Sequence, residues 1–391
     1  MEIANKEFSN KFKSLMKNPS LLILLIAIFV VLFIFIIYPL FKVLIISFTD
    51  NNNKFSLDVY KSILSNDYMK QGFKNSILVA TLTAVIGTLI GYLYAYTINR
   101  TNIPFKKFFR TIAIVPMVFP PFIGAMSIIM LFGFNGLITS KLFGIRTFPV
   151  YGLWGLMIAQ VITFFPVAFI TLDGVLSTIS PTLEDAAFNL KASKWQVFTK
   201  VTLPLSVPGI ASTMLVLFIE SLADFGNPLI LAGASFPVLS VQAYLEITGM
   251  FNLKNGAALA VWLLVPSLIA FILQKYWVNK KKYITVTGKP TTSQVKSVST
   301  SAKWILFTLC MIVSIFIVLI YVTIFWGAFT KAWGMNNQFT LENFKYVFDV
   351  GKESIKDTLT IALTSTPISA LLGMIIAFLI VRKSFPGKKA L

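Results

Sequence analysis

Eight apolar stretches recur along this 391-residue chain and decide what it can fold into. They fall at 21–48, 73–98, 111–134, 151–172, 209–232, 257–278, 304–328 and 357–381. A helix of about 20 residues, at roughly 1.5 Å per residue, crosses the hydrocarbon layer of a bilayer. Inside that layer every backbone N–H and C=O must be satisfied locally, so runs of this length are helical. Hydrophobic residues make up 56% of the chain, more apolar surface than a water-soluble core hides. The expected fold class is an all-α polytopic membrane protein. The first run, Leu21 to Phe41, is too long for a cleavable signal peptide and has no small-residue cleavage site behind it.

The formal charge is +19. In a soluble chain that excess suggests nucleic acid. Here the cations lie between the apolar runs, where they fix topology against an anionic leaflet, so the partner expected is the lipid bilayer and no nucleic acid. With a cytoplasmic N-terminus, the inside segments 1–20, 99–110, 173–208, 279–303 and 382–391 hold 21 Lys and Arg, against 9 in the outside loops. That bias predicts a cytoplasmic N-terminus. The chain has no histidine, and its one cysteine, Cys310, lies in an apolar run and reads as a packed core residue. No metal site is expected.

One loop is unusually ordered. Residues 180–209 form a polar island between two apolar runs. Ser180-Pro181 reads as a helix cap with proline at the first helical position. Glu184 and Asp185 follow in the first turn, where the helix dipole favours negative charge. Ser193-Lys194-Trp195-Gln196 is a capping box that opens a second helix, which Pro204 and Pro208 are expected to bound. Two short helices between spans make a stiff connector, suited to docking. Ala186 and Ala187 keep the surface shallow, and Trp195, Phe198 and Val201 recur at helical spacing. Those three either form a contact face for a partner or pack onto the chain's own span ends.

The chain also repeats itself. Arg100, Pro104, Lys106 and Lys107 match Arg382, Pro386, Lys388 and Lys389 at a constant offset of 282. Phe55-Ser56-Leu57 resembles Phe339-Thr340-Leu341, and Asn75-Ser76 matches Asp357-Thr358. The expected organisation is a cytoplasmic N-terminus (1–20), a first six-span unit (21–278) with its loop at 180–209, a cytoplasmic linker (279–303) and the start of a second, parallel unit (304–391). The second unit is incomplete at two spans, which predicts either a piece of a protein of roughly 560 residues or a truncated product.

The loop resembles the cytoplasmic coupling loop of ATP-binding-cassette importer permeases. The pattern of that family is Glu-Ala-Ala, three residues, Gly, nine residues, Ile, one residue, Leu-Pro. Here Asp185-Ala186-Ala187, Lys191, Val201 and Leu203-Pro204 stand at that spacing without a gap. Lys191 replaces the glycine that permits a left-handed turn. Either the lysine bears a strain of about 1 kcal/mol, or the turn differs. Two fused six-span units, and Ala223-Asp224-Phe225-Gly226-Asn227-Pro228, resemble the iron(III)-type permeases. Permeases for aminophosphonates, thiamine, sulfate or polyamines are similar and stay open.

The resemblance implies a transport subunit of a bacterial cytoplasmic (inner) membrane. Its coupling residues would be Glu184, Asp185, Ala186, Ala187, Lys191, Trp195, Phe198, Val201, Leu203 and Pro204. They would dock on a separate nucleotide-binding ATPase subunit, a homodimer that holds ATP and Mg. An extracytoplasmic solute-binding protein would deliver the cargo. This chain itself would bind no cofactor and would not be an enzyme; it has no Gly-x-x-x-x-Gly-Lys-Ser/Thr motif. Carboxylates inside a membrane face a cavity or a partner. Glu220 and Asp224, four residues apart on one helix face, with Asn227, are either pathway lining or a hydrogen-bond cluster where Asn227-Pro228 unwinds the helix. The rival classes are a secondary transporter or channel, and a scaffold without transport.

Overall fold

The computed structural model describes residues 18–50, 54–146, 149–278, 298–383, 385 and 388. Among these, eight helices are long and apolar enough to cross a membrane. They are α1 (Pro19–Ser47), α3 (Asp67–Arg100), the stretch Phe122–Leu142 that begins with α5 (Phe122–Phe132), α6 (Leu153–Thr178), α8 (Lys194–Ala223), the stretch Leu253–Tyr276 that begins with α11 (Leu253–Ile272), α12 (Thr300–Ala328) and α14 (Lys352–Arg382). Shorter helices join them: α2 (Asp58–Ser65), α4 (Lys106–Val118), α7 (Pro181–Asn189), α9 (Gly226–Leu231), α10 (Leu239–Thr248) and α13 (Glu342–Val350). A two-stranded antiparallel hairpin, β1 (Thr330–Ala332) and β2 (Asn336–Phe339), follows α12, pairing Thr330 with Phe339. The all-α polytopic class is as expected. Of the linker expected at 279–303, residues 279–297 lie outside the described residues, as do residues 1–17.

Two spans differ from their sequence bounds. The run at 111–134 is broken: α4 ends at Val118, Phe119 is extended, and α5 starts at Phe122. Pro120 and Pro121 explain the break, since proline withholds an N–H and disfavours helix in the residue before it. The run at 209–232 is shifted. Its helix starts at Lys194, passes a π-turn at Phe198–Thr202 and ends at Ala223. Pro204 falls in the first turn after the π-turn and Pro208 inside the helix, so neither bounds a separate short helix.

The chain divides into two compact units, Ile46–Thr340 and the pair Met1–Ile45 with Leu341–Leu391. In the larger unit α3 is central, packed on α6 and α8, and α12 lies against α3, α4 and α5. A Cβ on Gly91 would stand 2.6 Å from the Cβ of Ala168, so only glycine lets α3 and α6 approach this closely. Tyr94 sits at the heart of this unit, its ring edge-on to Phe109 and Phe169. Its hydroxyl donates to the carbonyl of Cys310 at 2.8 Å, and Cys310 is buried as expected. In the smaller unit Leu25 and Ile28 of α1 pack with Leu379 of α14 and with Phe385.

The segments that repeat in sequence also fold alike. Leu57 precedes α2 at φ −102°, ψ 8°, and Leu341 precedes α13 at φ −107°, ψ 3°. A long helix follows each, ending at Arg100 and at Arg382.

Candidate functional site

The loop begins with α7. Ser180 takes the extended cap conformation and Pro181 opens the helix, its missing N–H being an orphan group there anyway. The side-chain cap bond is not made; the Ser180 hydroxyl pairs with Thr182 Oγ1 at 2.7 Å instead. At the other end Ala192 N donates to Ala187 O (3.1 Å) and Lys191 N to Phe188 O (2.8 Å), a Schellman closure. That closure requires a left-handed residue, and Lys191 supplies it at φ +60°. The turn is therefore the one a glycine serves, and lysine bears the strain. The next helix opens with both halves of the expected capping box: Gln196 N to Ser193 Oγ, 3.2 Å, and Ser193 N to Gln196 Oε1, 2.7 Å.

Glu184 faces inward. It is 0% exposed, although its place in the motif grouped it with the docking residues. Its Oε1 accepts from Arg100 Nε at 2.8 Å and from Thr202 Oγ1 at 2.9 Å. The same guanidinium donates through NH2 to the carbonyls of Leu176 (3.2 Å) and Ile179 (3.1 Å). Arg100 is itself buried at 4% exposure. One ion pair thus joins the last turn of α3, the end of α6, the loop helix α7 and the start of α8. Glu184 Oε2 is buried without a hydrogen-bond partner. A second brace lies beside it. Asp173 of α6 accepts from Asn99 Nδ2 at 2.7 Å and from Arg110 of α4 at 3.0 Å. Burial, then the neighbouring Arg110 charge, push the Lys106 ammonium of α4 below its usual pKa.

The other loop residues divide cleanly. Asp185, Ala186, Lys191, Trp195 and Pro204 are exposed, and Ala187, Val201 and Leu203 are half-buried. Trp195 is 71% exposed and Leu190 85%. Phe198 turns inward onto the Tyr96 ring, centroids 5.1 Å apart, so of the three residues at helical spacing only Trp195 points out. Arg100 and Thr202 were not among the sequence candidates. Arg100 read as one of the topology charges, and a threonine inside a helical run carries no signal of its own.

At the far end of α8 two of the second set of candidates, Asp224 and Asn227, come together. Asp224 caps α8, and the chain unwinds at Asp224–Phe225 before α9. Asp224 Oδ2 accepts from Gln160 Nε2 (3.0 Å) and Asn227 Nδ2 (2.9 Å). Gln160 Oε1 in turn accepts from Thr83 (3.2 Å) and Ser221 (2.5 Å). These bonds form a hydrogen-bond cluster at Asp224 that ties α3, α6 and α8 together, while Asn227-Pro228, expected to unwind the helix, lie within α9, the break falling earlier, at Asp224–Phe225. Glu220 stays outside it. Its Oε2 is buried with no partner, as is Asn227 Oδ1. Among the described residues no cluster of His, Cys, Asp and Glu has the make-up of a metal site.

Residues 87–283, which hold α6, α7, α8 and Arg100, match the family described as binding-protein-dependent transport system inner membrane component. The chain belongs to that family. It is 33% identical over 393 residues to the ferric transport system permease protein FbpB of Actinobacillus pleuropneumoniae, covering 97% of this chain and 57% of that one. A ferric transport relative from Haemophilus influenzae matches at 33% over 97% of this chain and 62% of its own length, so the chain spans about three fifths of these relatives. The sulfate transport system permease protein CysT of Escherichia coli is 25% identical over 213 residues, covering 54% of this chain and 76% of that one. A chain of a bacterial alginate ABC transporter, solved with its alginate pentasaccharide-bound periplasmic protein, shares the fold at TM-score 0.61 and 18% identity, covering 70% of this chain and 99% of that one.

Proposed function

We propose that this chain is the permease subunit, or the larger part of one, of an ATP-binding-cassette importer, and that its cargo is iron(III). The observation that carries the reading is the loop itself. The family spacing is kept to the residue, the left-handed turn is kept at Lys191, Asp185 and Ala186 stand exposed on a helix clamped from behind, and Trp195 stands exposed at the start of α8. A surface held stiffly and facing out is what a separate ATPase needs to push on. The ferric relatives, aligned along 97% of this chain, support iron(III) as cargo.

In this reading the N-terminus and the loop are cytoplasmic and an ATPase homodimer holds ATP and Mg. Closure of the dimer moves α7 and the start of α8. Because α8 runs unbroken from Lys194 to Ala223, displacement at its start is carried along the whole span. A solute-binding protein presents iron(III) on the other side. Asp224 and its amide partners hold α3, α6 and α8 in register, and Glu220 is the carboxylate left outside that network. Reconstituted vesicles test this. Uptake of iron(III) from its binding protein is expected only with ATP and the ATPase subunit present. Uptake without the ATPase would make the chain a secondary transporter or channel. Uptake driven by ATP but of sulfate, a polyamine, thiamine or an aminophosphonate would keep the machinery and replace the cargo.

A further inference from the structure

Within α7 the buried residues are Pro181 and Glu184. A nine-residue helix whose other residues are exposed or half-buried has little else to resist a sideways load. Glu184 meets that need through partners far apart in sequence: Arg100 lies 84 residues away, and Thr202 18. The guanidinium also holds the carbonyls of Leu176 and Ile179, so its planar fork fixes the end of α6 and α7 at once. The pair is not the arrangement that stability alone favours. Glu184 Oε2 is buried without a partner, and apolar side chains of similar volume generally replace a buried ion pair without loss of stability. What such a pair supplies is a fixed geometry.

We infer that Arg100 is a positioning residue for transport: by gripping Glu184 it makes the loop helix and the ends of α3 and α6 move as one body, so that a push on the loop reaches the spans. This rests on the importer reading. Loss of the grip leaves the docking face, Asp185, Ala186 and Trp195, in place. The ATPase still binds and hydrolyses ATP, but its stroke is absorbed in the loop.

The test uses the full permease with its ATPase subunit in vesicles, the probe being iron(III) loaded on the binding protein. The variants are Glu184→Gln and the apolar pair Arg100→Met with Glu184→Leu. Three quantities are read: retention of the ATPase on purification, iron(III) moved per ATP hydrolysed, and nucleotide-dependent hydrogen exchange at the ends of α3 and α6. The last reading needs no cargo. Both variants are expected to retain the ATPase, to lose about tenfold in transport per ATP and to lose the nucleotide-dependent exchange. The apolar pair is expected to do so at an unchanged unfolding midpoint. An apolar pair that transports with wild-type efficiency and keeps the exchange response overturns the inference. So does a joint fall of ATPase retention, hydrolysis and unfolding midpoint in both variants, which marks a purely structural role. A wild-type protein that fails to retain any ATPase overturns the importer reading itself, and is seen before any variant is made.

Discussion

Glu184 and Asp224 are both buried carboxylates tied to α8, one at its start through Thr202 and one at its end as the cap. Their partners differ in kind. Glu184 faces a guanidinium, and Asp224 faces the neutral amides of Gln160 and Asn227. The first arrangement needs its charges, because removing one strands the other in a desolvated site. The second needs only acceptors and donors in the right places. The start of α8 is therefore held by an interaction that fails abruptly. Its far end is held by a network that degrades bond by bond.

The comparison can be broken by substitution. Arg100→Met is expected to have the largest effect, lowering stability by about 3–5 kcal/mol because Glu184 is left buried without its counter-charge. Unfolding midpoints of the purified protein read this directly. At the other end, Gln160→Leu is expected to cost about 1–3 kcal/mol by removing one donor from Asp224 and the acceptor of Thr83 and Ser221. Asp224→Asn keeps the acceptor and is expected to cost less than about 1 kcal/mol. If Asp224→Asn proves as damaging as Arg100→Met, the charge of Asp224 is needed and the contrast falls.

Smaller changes sharpen the picture of the loop. Lys191→Gly removes the cost of a side chain at φ +60° and is expected to stabilise by up to about 1 kcal/mol. A destabilised Lys191→Gly variant would show that the lysine makes up its strain elsewhere. Trp195→Ala is expected to leave stability within about 0.5 kcal/mol. On the importer reading it is expected to weaken binding of an ATPase subunit about tenfold, as loss of an exposed aromatic anchor does. Asp58 of α2 gives the exposed extreme of the carboxylate series. Hydrogen bonding from Ser56, then the Lys61 charge, hold its pKa below the ordinary 3.8. A depressed folded pKa stabilises above the unfolded value and that contribution is lost as pH falls through the folded one, so Asp58→Asn is expected to lower the unfolding midpoint slightly above about pH 4 and to match the wild type in stronger acid.

The eight spans were legible because length and apolarity alone decide what a bilayer accepts. The starts of the loop's helices were legible for a similar reason: Pro181 and the Ser193–Gln196 box act on their own backbone. The expectation that Pro204 and Pro208 end a separate helix was not met, because proline in a first turn is harmless and a π-turn absorbs the irregularity that precedes it. Trp195 and Phe198 are equally apolar, and only the presence of Tyr96 turns one inward.

The sequence by itself determined the number of crossings and the ordered loop between two of them, since each depends on neighbours within a few residues, and left open whether Lys191 keeps the left-handed turn. It placed Glu184, Asp224 and Arg100 in the chain but not in their environments. In a chain apolar on every side, the helical period does not say which face meets protein and which meets lipid. Tertiary structure alone decided that Glu184 points inward, that Arg100 and Thr202 reach it from 84 and 18 residues away, and that Asp224 is held by amides. A buried carboxylate takes whatever donors its packed neighbours bring, and that is settled only when the spans come together.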